Sequence, residues 1–289
     1  MFEFNDVLRR LDIDPATVLI MRHRPPEKEF RRQLPWLAAE RYEIFNAYQQ
    51  VQPRAEKAMQ QAKFVASFIG QNPAEATFVD LYEIANHRIL KADELREMHA
   101  HRELEKLGVI STEDEYAGGH LYFDLVPTGS PPEAKGRLIC SWPPPERSWY
   151  RWADRNMLNI SALTEVSRLA PEMPPWDELV FTKSDLDALP RAWAASLSQW
   201  RGIYFILDET DGRGYVGSAY GNENIYGRWQ DYASNGHGGN VGLKNRAGNS
   251  MRFSILQRVS PDMEPADVIA LEASWKRRLH TREFGLNRN

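Results

Sequence analysis

The spacing of apolar positions changes several times along this chain, and each change predicts an element. Leu34–Gln49 sets Leu37, Tyr42, Phe45 and Tyr48 at helical spacings, which predicts an amphipathic helix with Pro35 in its first turn. Phe64–Ile69 and Thr77–Ile84 are rich in β-branched and aromatic residues and predict two strands joined by a loop. Glu94–Leu107 reads as a helix, and Leu121–Val126 and Gly136–Trp142 as two further strands. Across 161–198 the pattern weakens. Met173–Trp176 is turn-like, Ser184 is a candidate cap for a short helix interrupted at Pro190, and Arg191–Ser198 predicts a second one.

A new pattern opens at Trp200. Gly202–Leu207 and Gly214–Ser218 flank a charged segment containing Asp211-Gly212, which predicts a hairpin with Ile203, Phe205 and Leu207 on one face and Tyr204 and Ile206 on the other. A helix over Ile225–Ala233 follows, with Asn222 or Asn224 as candidate cap, and Arg228 and Tyr232 share one side of it. Met251–Val259 predicts a third strand, and a last helix starts after Pro261, with Glu264 or Asp267 near its positive end. With Val268 at zero on that helical wheel, Glu272 falls at about 40°, Trp275 at about 340° and Leu279 at about 20°. A carboxylate on that apolar stripe needs compensation, either a divalent cation or a basic partner such as Arg252. The fold class is therefore α+β. A three-stranded antiparallel sheet flanked by helices (199–289) is preceded by a β-rich or α+β accessory domain (1–198).

Composition narrows the classes. A chain of 289 residues with 42% hydrophobic and 26% charged content is that of a soluble globular protein with room for two domains. No run approaches the apolar length of a membrane span, and the first residues lack the basic and apolar regions of a secretion signal. The single Cys140, within an apolar strand, excludes a disulfide framework and a multi-cysteine zinc site, which points to the cytoplasm. The net charge of -4 conceals an asymmetry: from Trp200 onward 12 Lys+Arg face 10 Asp+Glu, and ten of the twelve are Arg, the side chain that pairs bidentately with phosphate.

Gly202-Ile203-Tyr204, followed by Tyr215-Val216-Gly217, resembles the signature of the GIY-YIG nuclease superfamily, with Val in place of the second Ile. The pattern continues in order over about 90 residues, through Arg228, an aromatic four residues later (Tyr232), Glu272 in the last helix, and Asn287. The resemblance implies an endonuclease that hydrolyses DNA to 5′-phosphate and 3′-hydroxyl ends. Glu272 would hold one Mg²⁺ or Mn²⁺ ion and Arg228 would clamp a non-bridging phosphate oxygen. Tyr204 would be the first candidate general base, assisted by Tyr215 or Tyr232, and Asn287 would orient water or phosphate. A free phenol titrates near 10, so this chemistry requires Arg228 or the metal to lower it. Singly, each tyrosine is also an ordinary strand aromatic, and Asn287 also reads as a frayed tail.

Outside the signature, His237, Asn240 and Lys244 lie in a Gly-rich loop that reads either as a flexible connection or as a set of substrate contacts. The aromatic-basic run around Trp149, Arg151, Trp152 and Arg155 reads either as an interdomain core with snorkelling arginines or as a DNA-contacting surface. The strands of the first two-thirds are loosely similar to the small barrels of the PUA-like group, which would suit target recognition, including a modification-dependent restriction enzyme. Restriction or phage defence is the leading class. A structure-specific repair or recombination nuclease and a non-catalytic DNA-binding module are the alternatives, and two-strand cutting would suit a homodimer.

Overall fold

The computed structural model describes residues 2–109, 119–170, 172–221, 224–238, 243, 246 and 250–288. It divides into two compact units, Met1–Pro171 and Glu172–Asn289. The first contains, in chain order, α1 (Phe4–Arg10), β1 (Val18–His23), α2 (Lys28–Glu40), α3 (Tyr42–Gln50), α4 (Glu56–Met59), β2 (Phe64–Ile69), β3 (Glu75–Leu90), α5 (Ala92–Glu97), α6 (His99–Lys106), β4 (His120–Pro127), β5 (Leu138–Ser141), β6 (Tyr150–Trp152) and β7 (Ile160–Leu163). The second contains β8 (Val180–Thr182), α7 (Lys183–Asp187), α8 (Arg191–Gln199), β9 (Arg201–Asp208), β10 (Arg213–Ala219), α9 (Asn224–Asn235), β11 (Met251–Val259) and α10 (Pro265–Arg278).

In the first unit a mixed sheet runs β6-β1-β2-β3-β5-β7, with β4 paired to β3. The β1–β2 pair is parallel, and β1 is buried along its whole length, from the apolar Val18–Met21 to Arg22 and His23 at its end, as a strand covered on both sides is. One buried layer joins Phe4, Leu8, Ile20, Phe68 and Phe78; another joins Leu19, Met21, Val65, Tyr82 and Phe123. Among the described residues β6 and β7 end the path without pairing to each other, so the PUA-like barrel finds no support in an open sheet. Several predicted elements change length. The helix expected over Leu34–Gln49 is two, broken at Arg41 (φ -123°, ψ 55°), and Pro35 sits inside α2. The expected helix Glu94–Leu107 breaks at the extended Met98, and the strand beginning near Thr77 continues to Leu90 because it pairs with β2 and then with β4.

In the second unit the sheet order is β10-β9-β11-β8, all antiparallel. The three expected strands form its body. A fourth, β8, pairs Phe181 with Phe253 and Val180 with Ser254. The segment between β8 and β9 therefore belongs to this unit rather than to the accessory domain, and the division falls at 171/172 instead of 198/199. Phe181 packs edge-on against Trp229 at 5.9 Å, and Asn224 donates to the Ser198 carbonyl at 2.9 Å. That bond uses the Asn224 side chain and its φ is +49°, so Asn224 is not a side-chain cap; Asn222 lies outside the described residues. The short helix α7 is capped by Thr182 with Asp185, two residues before the expected Ser184.

Candidate active site

The hairpin β9–β10 sorts its side chains by alternation. Ile203 and Val216 pack with Val268 of α10, whereas Tyr204 and Tyr215 meet Tyr232 of α9. The two helices thus cover opposite faces of the same strands, and the polar groups divide accordingly.

On the α9 face the Tyr204 and Tyr232 hydroxyls hydrogen-bond at 3.0 Å, and the Arg228 guanidinium donates to the Tyr232 hydroxyl at 3.4 Å while lying 5.5 Å from its ring centre. Arg228 is about one-third exposed and also faces Asp231 at 3.5 Å. Tyr215 completes the cluster, 6.1 Å from Tyr232 ring to ring. The glycine of the second motif is explained sterically: a Cβ on Gly217 would stand 2.4 Å from the Tyr204 hydroxyl. Only a residue without a side chain lets that phenol lie down on the neighbouring strand. Gly238 plays a similar part against the other phenol, since a Cβ there would meet the Tyr232 ring at 2.7 Å.

On the α10 face Glu272 accepts a hydrogen bond from the Ser218 hydroxyl and forms a 2.6 Å ion pair with Lys276 one turn on. Both side chains are largely withdrawn from water, 14% and 5% exposed. The compensation that the helical wheel demanded comes from Lys276. Arg252 instead pairs with Glu209 at 2.9 Å. Leu279, expected on the apolar stripe, is 41% exposed because the helix has ended there.

The structure therefore joins Tyr204, Tyr215, Tyr232 and Arg228 directly, and ties Glu272 to the strand residue that follows Gly217. No described contact runs from Glu272 to the phenols. Asn287 is neither frayed nor free to orient water: it is 1% exposed, and its side-chain amide accepts from the Val216 N–H at 2.9 Å and donates to the Val216 carbonyl at 2.8 Å. His237 is half-buried beside Gly238, while Asn240 and Lys244 lie outside the described residues.

The electrostatics correct the expected route to a general base. Burial pushes the Tyr204 phenol well above its ordinary range, the neighbouring Tyr215 adds to the rise, and Arg228 only partly opposes it. Tyr232 is raised further, again mainly by burial. Both are neutral hydroxyls in this state, able to donate and accept hydrogen bonds. Asp208 escaped the sequence reading altogether. Although burial would raise its pKa, bonds from Thr210, Arg246 and Ser250 hold the carboxylate down to about 2, which fixes the hairpin turn. An Asp at the start of a charged turn was its available signal.

A hard divalent cation such as Mg²⁺ keeps several waters and needs one or two carboxylates. Among the described residues no group of three or more His, Cys, Asp or Glu converges, so a closed protein cage is excluded there. Glu272 supplies one hard oxygen donor whose present counter-charge is an ammonium, and this fits a cation retaining most of its water shell.

Of the proposed DNA contacts, Arg151 is spent inside the first unit, donating to Asn156 at 3.0 Å and to the carbonyls of Pro143 and Pro145 at 2.7 and 3.0 Å. Trp152 packs on the Leu19–Phe123 layer. Arg155 is exposed beside Asp154, and Trp149 borders an open cavity. Arg151 and Trp152 thus serve the interior of the first unit. Among the described residues no helix is long and apolar enough to cross a membrane.

Residues 201–287 match the family described as GIY-YIG catalytic domain. Among solved structures, the chain is similar to a point mutant of the catalytic domain of intron endonuclease I-TevI, with 27% identity over 30% of this chain and 92% of that one and a TM-score of 0.26. No curated protein matches.

Proposed function

We propose, from the match of residues 201–287 to the GIY-YIG catalytic domain family, that the protein is a divalent-metal-dependent DNA endonuclease leaving 5′-phosphate and 3′-hydroxyl ends. The observation that carries this reading is the gathering, within the matched segment, of Arg228 and three tyrosines on one side of the hairpin, with Glu272 secured one strand residue from Gly217. Arg228 keeps a third of its side chain accessible, so its planar guanidinium can engage a phosphate oxygen. The neutral phenols of Tyr204 and Tyr232 position the attacking water or the phosphate by hydrogen bonding; one could serve as a base only as the phenolate, after bound positive charge has offset its burial and its own proton has passed to solvent. Tyr215 lies against Tyr232 and fixes its ring. Glu272 would hold Mg²⁺ or Mn²⁺, which supplies Lewis-acid polarisation of the phosphoryl and leaving oxygens when bound. Asn287 acts through Val216 by holding the strand that carries Tyr215.

His237, at the loop beside Tyr232, together with Asn240 and Lys244, is proposed to meet the substrate backbone. The N-terminal unit is proposed to choose the target, as suits a cytoplasmic restriction or phage-defence nuclease. Cutting both strands takes either two active sites, as in a homodimer, or two successive nicks by one.

The test is cleavage of plain, methylated, hydroxymethylated and glucosylated DNAs with Mg²⁺ and with a chelator, for the wild type and Glu272→Gln. Cleavage by the wild type with metal only, and loss of about 10³-fold or more in the variant with DNA binding retained, is expected. Full metal-dependent cleavage by Glu272→Gln would remove this residue from the mechanism.

A further inference from the structure

The first unit contains an open cavity of about 850 Å³, the size range of small-molecule sites. It is assembled from segments far apart in sequence: His23 at the end of β1, Tyr48 on α3, Arg54 after α3, and Arg147 and Trp149 before β6. Its inner wall is aromatic. The His23 imidazole has Tyr48 at 5.3 Å and Trp149 at 6.3 Å between ring centres, with Phe45 edge-on at 5.7 Å. Its rim carries Arg24, Arg54 and Arg147 against Glu27 and Glu146, an excess of positive charge. Arg24 faces Glu146 at 3.3 Å, whereas Arg54 and Arg147 are exposed and make no ion pair among the described residues.

His23 is the unusual member. It is 1% exposed and both ring nitrogens lack a hydrogen-bond partner of normal geometry. Gln49 is its polar neighbour, but the Gln49 amide is already engaged by Ser67 and Asn46. Buried polar side chains are almost always partnered, and an exception calls for an explanation. Burial pushes the imidazole down to about 4, so near neutral pH it offers one donor and one acceptor, the complement of a heterocycle edge.

We propose that this cavity binds a nucleotide, its base stacked against Trp149 and Tyr48 with an edge toward His23, and its phosphate held by the rim arginines Arg24, Arg54 and Arg147. Aromatic faces with flanking cations are the chemistry that receives an unstacked base. The inference rests on the reading that this chain acts on DNA, and it deepens that reading by giving the N-terminal unit a specificity pocket. The same chemistry would accept a free nucleotide, so two arms separate the sources.

In the first arm the full-length protein is mixed with each of the four deoxynucleoside 5′-monophosphates, with 5-methyl-dCMP, or with deoxyribose 5-phosphate, and saturation transfer from protein to ligand protons is read by NMR. Base protons should saturate more strongly than sugar protons, and deoxyribose 5-phosphate should give no comparable signal. Trp149→Ala and Tyr48→Ala should weaken binding at least tenfold, and His23→Leu should alter the ranking among bases. In the second arm a duplex with 2-aminopurine at a mismatched position is added without divalent metal. A fluorescence increase that Trp149→Ala abolishes assigns the pocket to a base drawn from DNA. Signals confined to the first arm assign it to a free nucleotide. Equal binding of deoxyribose 5-phosphate, undiminished binding by Trp149→Ala, or silence in both arms overturns the proposal. If Trp149→Ala does not fold by circular dichroism, the exposed Arg54→Glu/Arg147→Glu variant replaces it, with the same tenfold loss expected and unchanged binding counting against the site. Neither arm reads cleavage, so a failed nuclease assay and a failed pocket are separate results.

Discussion

The phenol–guanidinium site of the C-terminal unit and the cavity of the N-terminal unit treat their buried polar groups differently. At the first they are engaged with one another: Tyr204 with Tyr232, Tyr232 with Arg228, and close by Glu272 with Lys276 and Ser218, and Asn287 with Val216. At the N-terminal cavity the His23 nitrogens have no hydrogen-bond partner of normal geometry, and the arginines at the rim include two without an ion pair among the described residues. Closed networks hold geometry before substrate arrives, as electrostatic preorganisation requires. Open groups await something else. The contrast suits a division between a cutting unit and a reading unit.

The strongest way to break that contrast is Lys276→Met. If Glu272 depends on this ammonium, the variant leaves a buried carboxylate uncompensated and the C-terminal unit loses about 3–5 kcal/mol in chemical denaturation. Added Mg²⁺ should restore part of the loss, and an unchanged midpoint would mean that the pair contributes nothing. Next comes Arg228→Ala, which should lower the cleavage rate about 10²–10³-fold at saturating DNA. Arg228→Lys should recover only part of it, because a point charge lacks the fork that grips two oxygens.

His23 sharpens the other half of the comparison. Its folded pKa is near 4 against an unfolded value of 6.5, so the unfolded chain takes up a proton that the folded one does not. Stability is constant in this respect above pH 6.5 and falls as pH drops from 6.5 toward 4, by about 2 kcal/mol at pH 5. His23→Leu should flatten that part of the denaturation-versus-pH curve while changing little at pH 7; a steep acid loss persisting in the variant would locate the titration elsewhere. The smallest effect is expected from Tyr232→Phe, about 1 kcal/mol of stability for the lost hydroxyl bonds. Thermal melting checks it, and a much larger loss would show the phenol network to be stiffer than its distances suggest.

How far the sequence reveals each unit follows from where its determinants lie. The hairpin, β11 and α10 are legible because alternation and helical period are local, and Glu272 stands out as a charge on an apolar stripe. Lys276, four residues further, does not stand out, since a lysine is by default a solvated one. The three-residue strands β6 and β8 are too short to display a period, and β1 is four apolar residues followed by Arg22 and His23, without alternation. The signature tyrosines could be placed on the hairpin in advance, but their burial, which turns the expected base into a neutral donor, is a tertiary property. The cavity was invisible for the same reason: His23, Tyr48 and Trp149 share no local pattern and meet only when β1, α3 and the approach to β6 are assembled.

The clasp between Asn287 and Val216 spans 71 positions of the chain, and Leu286 adds a bond to the Gly214 carbonyl at 2.9 Å. On a ribosome, the hairpin emerges long before the amide that pins it, and every other strand and helix of that unit is made first. The bonds that pin the strand carrying Tyr215 therefore form only after the rest of its scaffold has been synthesised, so a polypeptide halted before Leu286 carries the hairpin without them.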